Sequence, residues 1–273
     1  MLMQYTVLGA EGFIGSHVTR RLQARQIPYQ AYTHDALDHL DKPLGHVLYC
    51  IGLTADFRQR PFDTVEAHVH VLSQVLRRGH FESLTYLSST RVYQGSASTR
   101  ETEPLILNVL DPGDLFNASK LLGESLCLWG GRRNVRIVRV SNVVGPRRDH
   151  NVFLDQVLHE AFAAGEVVFH TAPESSKDFI HVEDVVSGLL HVAAEGRESI
   201  YNLAAGVNIS NRWIADLLSS QFGIRARYAP EAREWSFAPI DISRLKTEFG
   251  FQPRPFQDYI ADYITDFRKR NFS

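Results

Sequence analysis

In "TVLGAEGFIGSHV" the glycines Gly9, Gly12 and Gly15 follow an apolar run and open a stretch whose apolar face carries Ile14, Val18 and Leu22. Without a Cβ, such positions permit a tight turn, a close approach of backbone to a pyrophosphate and close packing of helix on strand. A helix starting there adds partial positive charge at its N-terminus, where phosphate is favoured. The strand, turn and helix context favours a dinucleotide site, with Gly9, Gly12, Phe13, Ile14 and Gly15 around the cofactor, over a purely structural turn. An acid at the end of the second strand would bond the ribose hydroxyls of NAD. Thr33 and His34 stand there instead, followed by Asp35. His34 would attract a 2′-phosphate and Asp35 would repel it, so NAD and NADP both stay open. No metal is expected, because His17, His68 and His70 lie on helical patterns with no Cys or carboxylate partners at ligand spacing.

The elements that must position these residues show in the periodicity. Apolar runs at Tyr5 to Gly9, Tyr29 to Thr33, Val47 to Ile51, Leu84 to Ser88, Val135 to Val140 and Ile200 to Leu203 predict strands. Between them, Val65, Val69, Leu72 and Leu76 recur at helical spacing, as do Leu121, Leu122, Leu126 and Trp129. Strands alternating with helices imply a parallel sheet covered on its faces. Past Gly145 the pattern loosens, with helices expected at Phe153 to Ala164, Val185 to Ala194, Arg212 to Gln221 and Phe256 to Phe267.

Composition narrows the class. The 273 residues are 44% hydrophobic and 22% charged, enough apolar material for one large domain with an appendage. Lys plus Arg number 29 against 31 Asp plus Glu, which offers no basic field for nucleic acid or anionic lipid. No apolar run approaches the roughly 20 residues needed to cross a bilayer. With two cysteines, Cys50 and Cys127, and no signal-peptide pattern after Met1, a cytoplasmic setting without a disulfide is expected.

Beyond the glycine turn, "LSSTRVYQG" (Leu87 to Gly95), "FNASK" (Phe116 to Lys120), "RVSNVVGP" (Arg139 to Pro146), "KDFIHVEDVV" (Lys177 to Val186), "YNLAAG" (Tyr201 to Gly206) and "DISRLKTEFGFQP" (Asp241 to Pro253) occur in this order. Together they resemble the signatures of the extended short-chain dehydrogenase/reductases, which include the NAD-dependent epimerases and dehydratases of nucleotide sugars. The similarity covers nearly the whole chain. It implies an α/β fold, a Rossmann-type doubly wound parallel sheet with a smaller, partly interleaved C-terminal substrate lobe. Residues 1–145, with about 178–206 returning to them, would form the dinucleotide domain, and 146–177 with 207–273 the substrate-binding lobe. It also implies NAD or NADP, a nucleotide-linked sugar, and a homodimer paired through the helices at Val65 to Leu76 and Leu121 to Trp129. One departure is structural: between Thr33 and Val47 there is too little chain for the family's additional helix and strand, so the sheet should be one strand short.

The resemblance assigns Ser89 to the substrate oxygen and Lys120 to the nicotinamide ribose, where it would also lower the pKa of a Tyr one turn earlier. Phe116 occupies that position here, and a phenyl ring cannot ionise. Positions four apart share a helix face, so a hydroxyl at 116 and an ammonium at 120 would converge on one cofactor. Three readings follow: an introduced substitution; a natural enzyme relaying the proton through Tyr93, Ser89 or water; or a binding protein that has lost turnover. Thr90 and Arg91 replace the acids with which family dehydratases eliminate water. An epimerase or 4-keto reductase is therefore favoured over a dehydratase. For the substrate, the resemblance points to Asn142 and Arg233 near the diphosphate and to Val168, within 167–169, beside the nucleobase. Arg147 and Arg148, on an expected loop, could pair with phosphates bidentately, and Trp235 could be core or stack on a ring. Asp178 and His181 would organise the boundary between lobes.

Overall fold

The computed structural model describes residues 4–33, 36–146, 152–235 and 237–272. The chain begins with β1 (Tyr5–Leu8), α1 (Phe13–Ala24), β2 (Tyr29–Tyr32) and β3 (Pro43–Tyr49). A helical run follows: α2 (Pro61–Val65), a π turn over Glu66–His70, and α3 (Val71–Arg78). Next come β4 (His80–Ser89), α4 (Asp114–Trp129), β5 (Val135–Val140), β6 (Asn142–Val144), α5 (Phe153–Ala164), β7 (Glu166–Thr171) and β8 (Ser176–His181). The remainder is α6 (Val182–Glu195), β9 (Ile200–Leu203), β10 (Asn208–Ser210), α7 (Asn211–Phe222), β11 (Arg225–Arg233), α8 (Ser243–Phe249) and α9 (Ile260–Phe272).

The main sheet has the order β2-β1-β3-β4-β5-β9, and every pairing in it is parallel. Its strands are apolar because both faces are covered. On one face α1 and α6 bring Val18, Leu22, Val185, Val186 and Leu189 against Val7, Val138 and Val140. On the other, Leu72, Val75 and Leu76 of α3 and Cys127 of α4 meet Leu8, Val47, Tyr49 and Tyr86. The connections diverge between β1 and β3, and such a switch point leaves a crevice at the carboxyl ends of the strands. Among the described residues between β2 and β3 there is a 3-10 turn over Ala36–His39 and no additional helix or strand.

A third apolar cluster is built from Leu154 and Leu158 of α5, Phe169 of β7, Phe179 of β8, Ile214 and Leu218 of α7, and Ile264 and Phe267 of α9. Two small sheets, β10-β8-β6 and β11-β7, flank it. Leu245 of α8 and Phe251 join the α1 and α6 side of the main sheet instead. The single helix expected over Phe256 to Phe267 is divided: a 3-10 turn at Phe256–Asp258 ends at Tyr259, whose φ of −131° is not helical, and α9 starts after it. The third strand also begins earlier and stops at Tyr49, which frees Cys50, Ile51 and Gly52 to leave the sheet edge and enter the crevice. Among the described residues no helix is long and apolar enough to cross a membrane.

Candidate active site

The glycine turn lies at the switch point. Gly9 has φ +82°, and a Cβ there would stand 2.9 Å from the Ile51 amide nitrogen. A Cβ on Gly15 would overlap the Gly9 carbonyl oxygen. Both positions thus exclude a side chain, and for Gly15 the reason is helix-to-strand packing. The turn is anchored to the next strand, since the Gly9 and Ala10 amides donate to the Tyr32 carbonyl at 2.9 and 3.1 Å. Thr33 follows directly, beside the turn; His34 lies outside the described residues. The N-cap of α1 is Gly12, which offers no capping oxygen, and the first turn has no acid. That helix end keeps its positive potential for an anion. A backbone cradle closed to side chains and an uncapped helix N-terminus fit a dinucleotide pyrophosphate.

From this turn a cleft of about 600 Å³ runs to the ends of β4 and β5. Gly12, Phe13, Ile14, Ser89, Phe116 and Lys120 line it together, with Asn142 further along. Ser89 caps the 3-10 turn Thr90–Tyr93, its Oγ accepting from the Arg91 amide at 3.2 Å. Lys120, 4% exposed, donates from Nζ to the Leu87 carbonyl at 2.8 Å. Burial pushes its pKa down to about 7, against the opposing pull of Glu124. Phe116, 3% exposed, packs on Phe57 and meets the edge of His68, with ring centres 5.5 and 5.4 Å apart. His68 is neutral, its pKa lowered to about 2 by burial and then by Lys120. Its Nε2 accepts from the Leu53 amide at 3.1 Å, so Nδ1 carries the proton and donates to Ser119 Oγ at 2.8 Å. Ser119 in turn donates to the Phe116 carbonyl at 2.9 Å.

Behind the cleft, the Glu124 carboxylate is buried one turn beyond Lys120 on α4. Arg139 of β5 grips it bidentately, Nε to Oε1 at 3.0 Å and Nη2 to Oε2 at 2.6 Å, and Ser88 of β4 donates to it at 2.5 Å. Arg139 Nη1 also donates to the Tyr93 hydroxyl at 2.7 Å, which donates to Asn202 Oδ1 at 2.9 Å. The carboxylate bond holds the Arg139 pKa above its ordinary value despite burial. Tyr93 is thereby corrected as a substitute proton relay: its hydroxyl is committed to Arg139 and Asn202, its ring packs with Val92, Ala204 and Ile240, and it does not line the cleft.

The four further expectations about substrate contacts meet mixed outcomes. Asn142 is exposed at the cleft, one amide proton given to the Asp178 carbonyl at 2.8 Å. Asp178 itself accepts from Ser141 Oγ and the Ala205 and Gly206 amides, tying the end of β5 to the loop after β9. Arg233 borders a neighbouring hollow with His170, Thr171, Glu231 and Glu234, which shares Trp235 with the cleft but is separate from it. Val168, on β7 opposite Arg227 of β11, does not line the cleft either. Arg147 lies outside the described residues. The sequence reading missed Arg58 and Lys177 as cleft-lining cations, and took Arg91 only as a non-acid. Adjacency to Ser89 was a usable signal for Arg91.

A parallel sheet with a glycine turn at its switch point, opening onto a cleft that carries Ser89 and Lys120, defines a Rossmann-type dinucleotide-binding protein. The model of the NAD dependent epimerase/dehydratase family matches residues 5–204, and the chain belongs to that family. It is similar to GDP-L-fucose synthase of Escherichia coli (strain K12), 23% identical over 283 residues, with 88% of each chain covered. Among solved structures it is similar to MoeE5 in complex with UDP-glucose and NAD, with TM-score 0.81 at 20% identity over 99% of this chain and 100% of that one. RMD from Pseudomonas aeruginosa complexed with NADPH gives TM-score 0.78 at 21% identity over 98% and 99%. These structural likenesses speak to the fold.

Two outcomes are expected. Arg139→Met strands a buried carboxylate and should lower stability by about 3–5 kcal/mol in urea unfolding, whereas Arg139→Met with Glu124→Gln should recover much of that loss. A single-variant cost no larger than that of the double variant would remove the pair as a clamp. For Lys120 the folded pKa lies below the unfolded value of 10.5, so the unfolded chain holds the extra proton between about 7 and 10.5. The resulting destabilisation is full below the folded pKa and fades as pH rises through the unfolded one. Cofactor-free Lys120→Met should therefore unfold at a higher urea midpoint than the parent near pH 7, and the gap should close toward pH 10.5. A gap independent of pH would contradict the depressed pKa.

Proposed function

We propose that the protein binds NAD or NADP together with a nucleotide-linked sugar and belongs, by reaction type, with the epimerases and 4-keto reductases of its family. The observation that carries this is the meeting of Ser89 and Lys120 with Gly12, Phe13 and Ile14 on one cleft. A bound nicotinamide supplies or accepts hydride. The chain's own groups bind and orient. Ser89 Oγ accepts from the Arg91 amide, which leaves its hydroxyl proton for a substrate oxygen. Lys120 spends one of three protons on Leu87 and can direct the others to a ribose. Arg91 in the cleft has no carboxylate with which to eliminate water, which weighs against a dehydratase.

Phe116 removes the expected proton-transfer hydroxyl while leaving its surroundings intact. Because its ring centre is 6.0 Å from Lys120 Nζ, a tyrosine there would extend its hydroxyl into a site with an ammonium nearby. Loss of a positioned acid or base costs about a hundred- to ten-thousandfold in rate. Phe116→Tyr should raise turnover of keto-sugar or epimerisable nucleotide sugars by a factor of that order, followed by NAD(P)H absorbance and product chromatography. Binding without turnover in either form would favour the second reading, a silent cofactor- and sugar-nucleotide-binding protein, which Phe116 itself motivates.

We also infer that two copies pair through α2, α3 and α4. Phe62 on α2 and Trp129 on α4 are 88% and 84% exposed, and Leu122 is 51% exposed. Light scattering at micromolar concentration should give twice the mass of one chain, and Trp129→Glu with Leu122→Lys should halve it; a monomeric parent would refute the pairing.

A further inference from the structure

Three cations converge on the end of the cleft nearest Phe116. Arg91 comes from the 3-10 turn after β4, Lys177 from β8, and Arg58 from the segment between β3 and α2. They lie on an aromatic floor: Arg91 Cζ is 5.5, 5.6 and 6.0 Å from the ring centres of Phe57, Trp235 and Phe116. Lys177 Nζ is 4.0 Å from Phe153, and Arg58 Cζ is 4.6 Å from Phe57. Among the described residues none of the three forms an ion pair. Asp111 and Asp114 lie near Arg91 and act on it through space, without an ion pair. Asp114 accepts from the Asn108 amide and from Asn117, and Asp111 from the Gly113 amide. Asp178, also on the cleft wall, is saturated by Ser141, Ala205 and Gly206. Arg91 keeps a buried Nε without an acceptor, and among the described residues its side chain makes one hydrogen bond, to the Gly113 carbonyl, 3.5 Å long.

Like charges drawn together under partial burial repel; Asp111 and Asp114 offset part of that repulsion at Arg91, and an anion in the cleft would relieve more of it. Burial and Arg91 push the Lys177 pKa down to about 8, and burial and Arg58 lower that of Arg91 against the opposing pull of Asp114 and Asp111. The position of the anion follows from Ser89. Arg91 is two residues beyond it and over the face of Phe116, so its guanidinium is close to where the reacting carbon must sit, not out where a diphosphate would leave toward the nucleotide. A planar guanidinium with free donors matches a carboxylate in two-point geometry better than it matches a hydroxyl.

Resting on the reading of this cleft as a nucleotide-sugar site, we propose that Arg91 and Lys177 bind a carboxylate on the sugar, next to the reacting carbon, so that the substrate is a nucleotide-linked hexuronate and not a neutral hexose. Arg58 strengthens the same field from the rim.

The test is titration calorimetry on the full chain saturated with NAD or NADP, using matched pairs: UDP-glucose against UDP-glucuronate, GDP-mannose against GDP-mannuronate, and free UDP and GDP. The uronate of one pair should bind about ten- to hundredfold tighter than its neutral partner, the range of one or two charge-assisted hydrogen bonds. Arg91→Gln and, separately, Lys177→Met should erase that preference by weakening the uronate about tenfold or more relative to its neutral partner, with thermal melting to confirm that each variant is folded. Equal binding of neutral and acidic sugars would overturn the carboxylate site and leave the nucleotide-sugar reading standing. Equal weakening of the uronate and the free nucleotide in Arg91→Gln would overturn it too, by assigning the arginine to the diphosphate. Absence of binding by every nucleotide and nucleotide sugar would bring down both readings.

Discussion

The Glu124 to Arg139 ion pair holds the site in register. It joins α4, which carries Phe116 and Lys120, to β5, and through Ser88 to the strand that ends at Ser89. Arg139 then reaches Tyr93 and, through it, Asn202 of β9. A buried pair of this kind adds little net stability over an apolar substitute, because removing both charges from water is costly. Its value is directional. With both oxygens and three guanidinium nitrogens committed, α4 has few ways to slide or rotate over the sheet, so the spacing between Ser89, Phe116 and Lys120 is set by hydrogen-bond geometry as well as by packing.

In front of that clamp the electrostatics divide into two halves. At the glycine turn the positive potential comes from backbone amides and an uncapped helix, which costs no desolvation of a side-chain charge. At the far end it comes from Arg58, Arg91 and Lys177 on aromatic faces. Lys120 lies between, poorly solvated and only partly compensated by Glu124. His68 beside it is held neutral by burial and by this lysine, so it adds no competing charge. A chain with an almost balanced overall charge thus concentrates positive potential along one internal path.

Much of this was legible in the sequence where a backbone constraint demands a residue type. Gly9 and Gly15 could be read because a Cβ at either would collide with neighbouring backbone, and the six strands because two covered faces require apolar runs. Lys120 and Ser89 were reached by resemblance, and the structure brings them to one cleft. Tyr93 was misread because the 3-10 turn after Ser89 sends its ring inward, away from the cleft that Arg91 lines. The Glu124 to Arg139 pair was invisible because its members are 15 residues apart and meet only when α4 folds back over β5. Lys177 escaped notice for a similar reason, since its strand belongs to a small sheet that periodicity did not reveal. Arg233 was placed by analogy of position, and β11 carries it to a separate hollow.

The π turn between α2 and α3 lets one helical run satisfy two incompatible phases. An α-helix advances about 100° per residue, so an uninterrupted helix would hold a single inward stripe from Pro61 to Arg78. Here His68, inside the wide turn, faces Ser119 and the Leu53 amide, while Leu72, Val75 and Leu76 beyond it face the sheet. Shortening the run by one residue would restore regular winding and bring the two stripes into conflict. This helix therefore tolerates changes of residue type along its outer surface far more readily than any change in its length.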